Sequence, residues 1–187
     1  MLTRLLFFTC VFTPAAALAE VSENLTYSYY DVTARAAKTL LSQLDAFSPI
    51  REEGQIYHGH THWDIQWKFR WNTNESGVCR ITSSSTSLVS VITMPRLNGA
   101  NPRQQSIFDR YISSLEIHEL GHHRLAVQMA RKIDDDLIHL PGMNSCPELE
   151  AFADAQSQLS LERLKEQSRQ YDLETGHGRT QGVWVDY

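Results

Sequence analysis

The chain has no apolar run long enough to cross a bilayer, its basic residues are outnumbered, and its cysteines are few. The first absence excludes a membrane-spanning helix, which needs about 20 consecutive apolar residues. Seventeen Lys and Arg stand against 22 Asp and Glu, a net charge of −5. That balance argues against nucleic acid or an anionic membrane as partner, because either demands a clustered basic surface. The third absence leaves only Cys10, Cys79 and Cys146 to consider for cross-links.

At the start stand Met1-Leu2-Thr3-Arg4, an apolar run from Leu5 to Val11, and Ala15-Ala16-Ala17-Leu18-Ala19. A basic start, a short apolar core and an Ala-x-Ala site predict a secretory signal peptide over 1–19, cut after Ala19. The product is expected in the periplasm or outside the cell. Cleavage leaves 168 of the 187 residues, with 16 basic and 22 acidic, a net −6. This length suits a single domain over 20–187. Cleavage also removes Cys10, and in an oxidising compartment the remaining pair, Cys79 and Cys146, is expected to be bridged rather than left as two buried thiols. Closing so long a loop stabilises by about 4 kcal/mol in the chain-entropy account.

From Leu25 to Val32 the Tyr- and Thr-rich chain predicts a strand, followed by a helix capped by Thr33 and running to about Phe47, with Ala37, Leu40, Leu41 and Leu44 inward. Trp63, Ile65, Trp67, Phe69 and Trp71 then alternate with polar residues, the pattern of a strand with one face on the core. Asn72 to Gly77 supplies a turn into a second strand, Cys79 to about Met94, which Pro95 is expected to end. Its Ser83 to Ser87 tract is polar on both faces and is expected at an edge or in a groove wall. His58, His60 and His62 fall on the polar face and are expected to be solvated. A long helix follows from the cap Asn101 to about His139, and another starts at Ser145 and runs to about Tyr171, with Leu149, Phe152, Ala153, Gln156, Leu159 and Leu164 as its packing face.

Within the first long helix lies His118-Glu119-x-x-His122. Positions i and i+4 stack on one helical face, so the two imidazoles can reach one divalent ion, while Glu119, about 100° away, can reach a water without ligating the metal. Both histidines continue the apolar stripe Ile107, Tyr111, Leu115, Ala126, Met129, Ile133 and Leu137. Two unpartnered imidazoles there would be costly to desolvate, and a metal removes that cost. Zinc, one ion per chain, is the expected cofactor and Glu119 the expected general base. For the third ligand His177 is preferred, because Gly176 and Gly178 give its loop freedom to turn the side chain into a site. The alternative is Glu150 on the following helix. Tyr171, Arg179 and His123 are candidates for steadying charge in the transition state. Leu125 and Gln128 occupy the positions where a metzincin has Gly and His, which excludes that class. Gly121 costs about 1 kcal/mol of helix propensity, so a neighbouring backbone or the substrate is expected to approach closely there, just beside the metal.

Tyr30-Asp31-Val32-Thr33, Trp63-x-Ile65-x-Trp67, Cys79-Arg80-Ile81-Thr82, the His118 motif, Ser145-Cys146, and Thr175-Gly176-His177-Gly178 with Gln181-Gly182 span nearly the whole mature chain. Together they resemble the bacterial secreted proteins of the domain of unknown function 922 family, regarded as zinc-dependent proteases on the strength of the motif. The combined expectation is an α+β, zincin-like fold. An N-terminal strand and helix and a twisted antiparallel sheet pack against a C-terminal antiparallel pair of long helices. The expected function is an exported zinc metallopeptidase acting on a peptide or protein substrate. The alternatives are a metal-stabilised binding protein of the envelope and a zinc amidase of cell-wall material. Oligomeric state is left open.

Overall fold

Two helices of 37 and 30 residues, α2 (Pro102–Ile138) and α3 (Cys146–Thr175), pack as an antiparallel pair against a three-stranded sheet. The computed structural model describes residues 18–52 and 54–185. The expected signal segment lies outside the described residues, apart from Leu18 and Ala19, which begin β1 (Leu18–Thr33). After β1 come α1 (Leu40–Phe47), a small hairpin of β2 (Ile50–Glu52) and β3 (Gln55–Tyr57), then β4 (His60–Thr73) and β5 (Cys79–Asn98). Among the described residues no helix is long and apolar enough to cross a membrane.

Helix α1 starts at Thr39, which takes a bond from the Ser42 amide, and not at Thr33. The reason is the sheet ladder, since the Ala34 amide still donates to Asn98 O and holds the chain extended past Thr33. Both ends of α2 fall where capping chemistry puts them. Asn101 and Gln104 form a reciprocal capping box, and the helix stops just before Pro141.

The sheet order is β1-β5-β4, with β4 antiparallel and β1 parallel to β5. The sheet is therefore mixed and not wholly antiparallel. The Ser83 to Ser87 tract lies in the middle strand, paired on both sides, so it is not an edge and cannot take up an added strand, while Ser85, Thr86 and Ser87 do line a surface groove with Glu20, Ser22, Gln66 and Lys68. Its inward hydroxyls are satisfied by α2: Ser84 and Thr86 donate to Asp134 Oδ1 at 2.6 and 3.1 Å. Nor does Pro95 end β5. Pairing with β4 stops at Thr93, and beyond it β5 has β1 alone as neighbour, the edge-like setting in which a missing N–H is tolerated.

On α3 the inward stripe is Leu149, Ala153, Ser157, Ser160 and Leu164, while Phe152 and Leu159 of the expected face are exposed. The small residues of this stripe bring α3 close to α2. Trp67 of β4 spans to α3 by donating to Asp154 at 3.0 Å. Cys79 and Cys146 form the expected disulfide, which ties the start of α3 to the start of β5.

Two apolar clusters share α2. Phe108, Tyr111 and Leu115 pack with Val32, Leu40, Leu44, Ile92, Met94 and Leu97. Ala126, Met129, Ala130, Ile133 and Leu137 pack with Ile65, Ile81, Leu88, Leu149, Ala153 and Leu164. The motif residues 118–123 fill the interval between the clusters, so well-packed helix holds them from both directions.

Candidate metal centre

His118 and His122 are both buried and direct their Nε2 atoms at one carboxylate oxygen, Oδ1 of Asp172 on α3, at 3.2 and 3.0 Å. One ligand atom from each of these three residues lies within 4.8 Å of the other two. Each imidazole is also held from behind. His118 Nδ1 is 2.9 Å from Gln181 Oε1, and His122 Nδ1 is 2.7 Å from Ser168 Oγ.

An amide oxygen only accepts, so His118 Nδ1 carries the proton and its neutral form turns a lone pair toward Asp172. In that state the Nε2 lone pair and the carboxylate repel. Protonating His118 alone removes the repulsion, because neutral His122 can donate from Nε2 to Asp172 while Ser168 donates to its Nδ1, which leaves one imidazolium beside one carboxylate. A divalent cation satisfies all three donors with the imidazoles neutral. Zinc suits the chemistry of the set, since two imidazoles and a carboxylate are among its ordinary ligands. Without an ion, the same contacts favour positive charge on His118 and negative charge on Asp172. Burial alone would push the His118 imidazole down, but Asp172, Glu119 and Gln181 outweigh it and the net shift is upward. Burial would likewise raise Asp172, yet the two imidazoles hold its carboxyl well below the ordinary carboxylate range.

Glu119 is 3% exposed in the same cleft. Its Oε2 accepts from Thr61 at 2.7 Å, and Gly59 passes so near that a Cβ there would stand 2.5 Å from Oε1. Burial pushes its carboxyl up, against the lowering pull of Thr61 and the nearby imidazoles. A carboxyl with raised proton affinity, fixed in place beside a metal-ready cluster, is suited to accept and return a proton.

Tyr171 explains Gly121. Its ring stacks on His118 with centroids 5.1 Å apart, and a Cβ on Gly121 would meet its hydroxyl oxygen at 2.0 Å. The close approach is a side chain's, not a backbone's or a substrate's. Tyr171 Oη donates to His118 O at 3.3 Å and accepts from Gln181 Nε2 at 2.9 Å, so this residue braces His118 from behind and does not face the cleft. Gly178, at φ 79°, lies against the other side of His118, where a Cβ would stand 2.9 Å from Cγ.

His177 borders the cleft, its Nδ1 3.7 Å from Asp172 Oδ1 and its side chain 48% exposed. Its backbone is left-handed at φ 52°, the one such non-glycine among the described residues. Asp172 thus stands between the two motif imidazoles, with His177 one step outward. Glu150 is exposed near the start of α3, about 33 Å along the helix from Asp172. Arg179 is exposed in a 3₁₀ turn, Arg179–Gln181. His123 is buried on the sheet side, between Ser90 Oγ at 2.9 Å and Glu23 Oε1 at 3.0 Å. His60 borders the cleft and His62 is exposed, but His58 is largely buried, bonded to Tyr111 and Asp45, unlike the solvated residue expected.

Sequence reasoning missed Asp172, Ser168 and Gln181. A signal for the first two was present, because Leu149, Ala153, Ser157, Ser160 and Leu164 extend by steps of three and four through Ser168 and Asp172. An acid continuing the packing stripe of a helix antiparallel to the motif helix is a ligand candidate.

A family model described as a bacterial protein of unknown function (DUF922) matches residues 27–178. None of the curated proteins and none of the solved structures compared with the chain matches it.

Proposed function

The chain belongs to the DUF922 family of bacterial proteins, and we propose that it is a zinc-dependent hydrolase, exported from the cell, that cleaves peptide bonds. One observation carries this reading: three ligand-type atoms converge on a point in a cleft that also contains the buried carboxyl of Glu119. His118, His122 and Asp172 would hold the ion, with His177 near enough to join or replace a ligand. Zinc held there supplies a Lewis acid that polarises a carbonyl and acidifies water. Glu119 takes the proton from the attacking water and delivers it to the leaving amine, a role favoured by its raised proton affinity. Gln181 and Ser168 fix which imidazole nitrogen faces the ion, and Tyr171 holds the His118 ring plane. The disulfide is in keeping with an oxidising compartment.

The test is Glu119→Gln. Zinc content should be unchanged while peptide hydrolysis by the zinc-loaded protein is lost, and hydrolysis retained at the original rate would remove Glu119 from its role. A second reading, in which the metal serves structure alone, draws on the ligands coming from two helices, so that an ion would pin α2 to α3. It foresees metal-dependent thermal stability with no turnover in the unmodified protein.

A further inference from the structure

The cleft, of about 320 Å³, has two chemically different parts. The motif residues and Asp172 make one. The other is largely apolar, formed by Leu41, Ile56, Val183, Trp184 and Val185, with Glu52 and His60, 3.4 Å apart, also on the lining. Ile56 is 39% exposed and Trp184 56% exposed although each borders this cleft. Single exposed apolar residues are ordinary, but two from separate segments meeting at one opening mark a surface that something apolar covers.

Both segments are tied to the metal centre. The Val183 amide donates to Gly178 O at 3.1 Å and the Trp184 amide to Gly182 O at 2.8 Å, so the indole is carried by the turn whose Gly178 and Gln181 brace His118. On the other segment Ile56 lies in the β2–β3 hairpin beside Tyr57, whose ring contacts that of His177 at 5.0 Å. Side chain placement at the opening and ligand placement at the centre therefore share one scaffold.

We propose that this apolar part is the subsite for a substrate side chain. The protein then acts on extended peptide segments carrying a bulky apolar residue next to the scissile bond, and not on the polar, glycan-linked amides of cell-wall material. The proposal rests on the hydrolase reading above. The whole cleft is at the small end for ligand sites, of order 300–1,000 Å³, so its apolar part suits a single substrate side chain.

The test uses full-length mature protein carrying Glu119→Gln, loaded with zinc, and a series of blocked hexapeptides that differ only in a central Phe, Leu, Gly, Asp or Lys. Calorimetry should give the Phe and Leu peptides at least about ten-fold tighter binding than the rest, the range of discrimination an apolar pocket supplies. Adding Trp184→Ala and Ile56→Ser, both at exposed positions, should reduce that preference to about three-fold or less with zinc stoichiometry unchanged. Equal affinities, no binding by any peptide, a preference that survives the double substitution, or tighter binding of soluble peptidoglycan fragments would each overturn the proposal. Turnover of the same peptides by the unmodified protein is scored separately. Preference without turnover supports the subsite and contradicts the hydrolase reading; turnover without preference does the reverse.

Discussion

Gly121→Ala separates what helix propensity dictates from what the metal centre dictates, because the two give opposite signs. Gly121 lies mid-helix in α2, where alanine should stabilise by about 1 kcal/mol. The added methyl, however, would stand 2.0 Å from the Tyr171 hydroxyl oxygen, 2.3 Å from Cζ and 2.7 Å from Cε1. Tyr171 cannot yield freely, since its ring is stacked on His118 and its hydroxyl is bonded to Gln181. Overpacking of this kind costs about 1–3 kcal/mol, and a lost hydrogen bond adds about 1 kcal/mol. The net expectation is a loss of about 1–3 kcal/mol, or about 3–10 °C in Tm for a domain of this size. Displacing the His118 brace should also weaken zinc binding about 10–100-fold. Urea unfolding of the metal-free protein and zinc titration against a chelator measure both effects. In a Tyr171→Ala background the obstacle is gone and Gly121→Ala should become stabilising by about 1 kcal/mol. Equal or greater stability of Gly121→Ala in the wild-type background would show that Tyr171 does not crowd this position.

His58 gives a pH dependence of definite sign. Burial pushes its imidazole below the ordinary value of 6.5 despite the pull of Asp45, so the unfolded chain binds the proton more readily. Its contribution to stability is then complete above about pH 6.5 and is lost as pH falls from there through the lower folded-state value. The stability difference between wild type and His58→Gln, measured by denaturant unfolding from pH 7.5 to 5, should therefore shrink on acidification, and a widening difference would contradict the burial argument. For the disulfide, Cys79→Ser with Cys146→Ser should lower unfolding free energy by about 4 kcal/mol, read in the same assay, and an unchanged midpoint would show that the loop of 67 residues is held by packing alone.

The elements most legible in the sequence are those whose determinants are local. Asn101 and Gln104 cap α2 through their own side chains, Ser145 caps α3, and the Trp63 to Phe69 alternation writes the two faces of β4. The His118-Glu119-x-x-His122 spacing is local as well. What was hidden depends on partners far along the chain. The serine tract of β5 looked unsuited to a middle strand because its inward hydroxyls, Ser84 and Thr86, are satisfied by Asp134, about 50 residues on. The parallel pairing of β1 with β5 leaves no mark in either strand. Asp172 was obscured because it lies 50 residues from His122 and belongs to the site only through the register of α3 on α2. The Thr33 cap failed for the same reason, since the bond from Ala34 to Asn98 that keeps the chain extended is long-range.

The most direct measurement is zinc analysis of the purified mature protein with its His118→Ala, Asp172→Ala and His177→Ala variants. Close to one zinc per chain is expected in the unmodified protein, with loss of more than about 100-fold in affinity for His118→Ala and Asp172→Ala and a smaller effect for His177→Ala. Full zinc affinity in Asp172→Ala, or an unmodified protein that binds no zinc at all, would contradict a zinc centre on these residues.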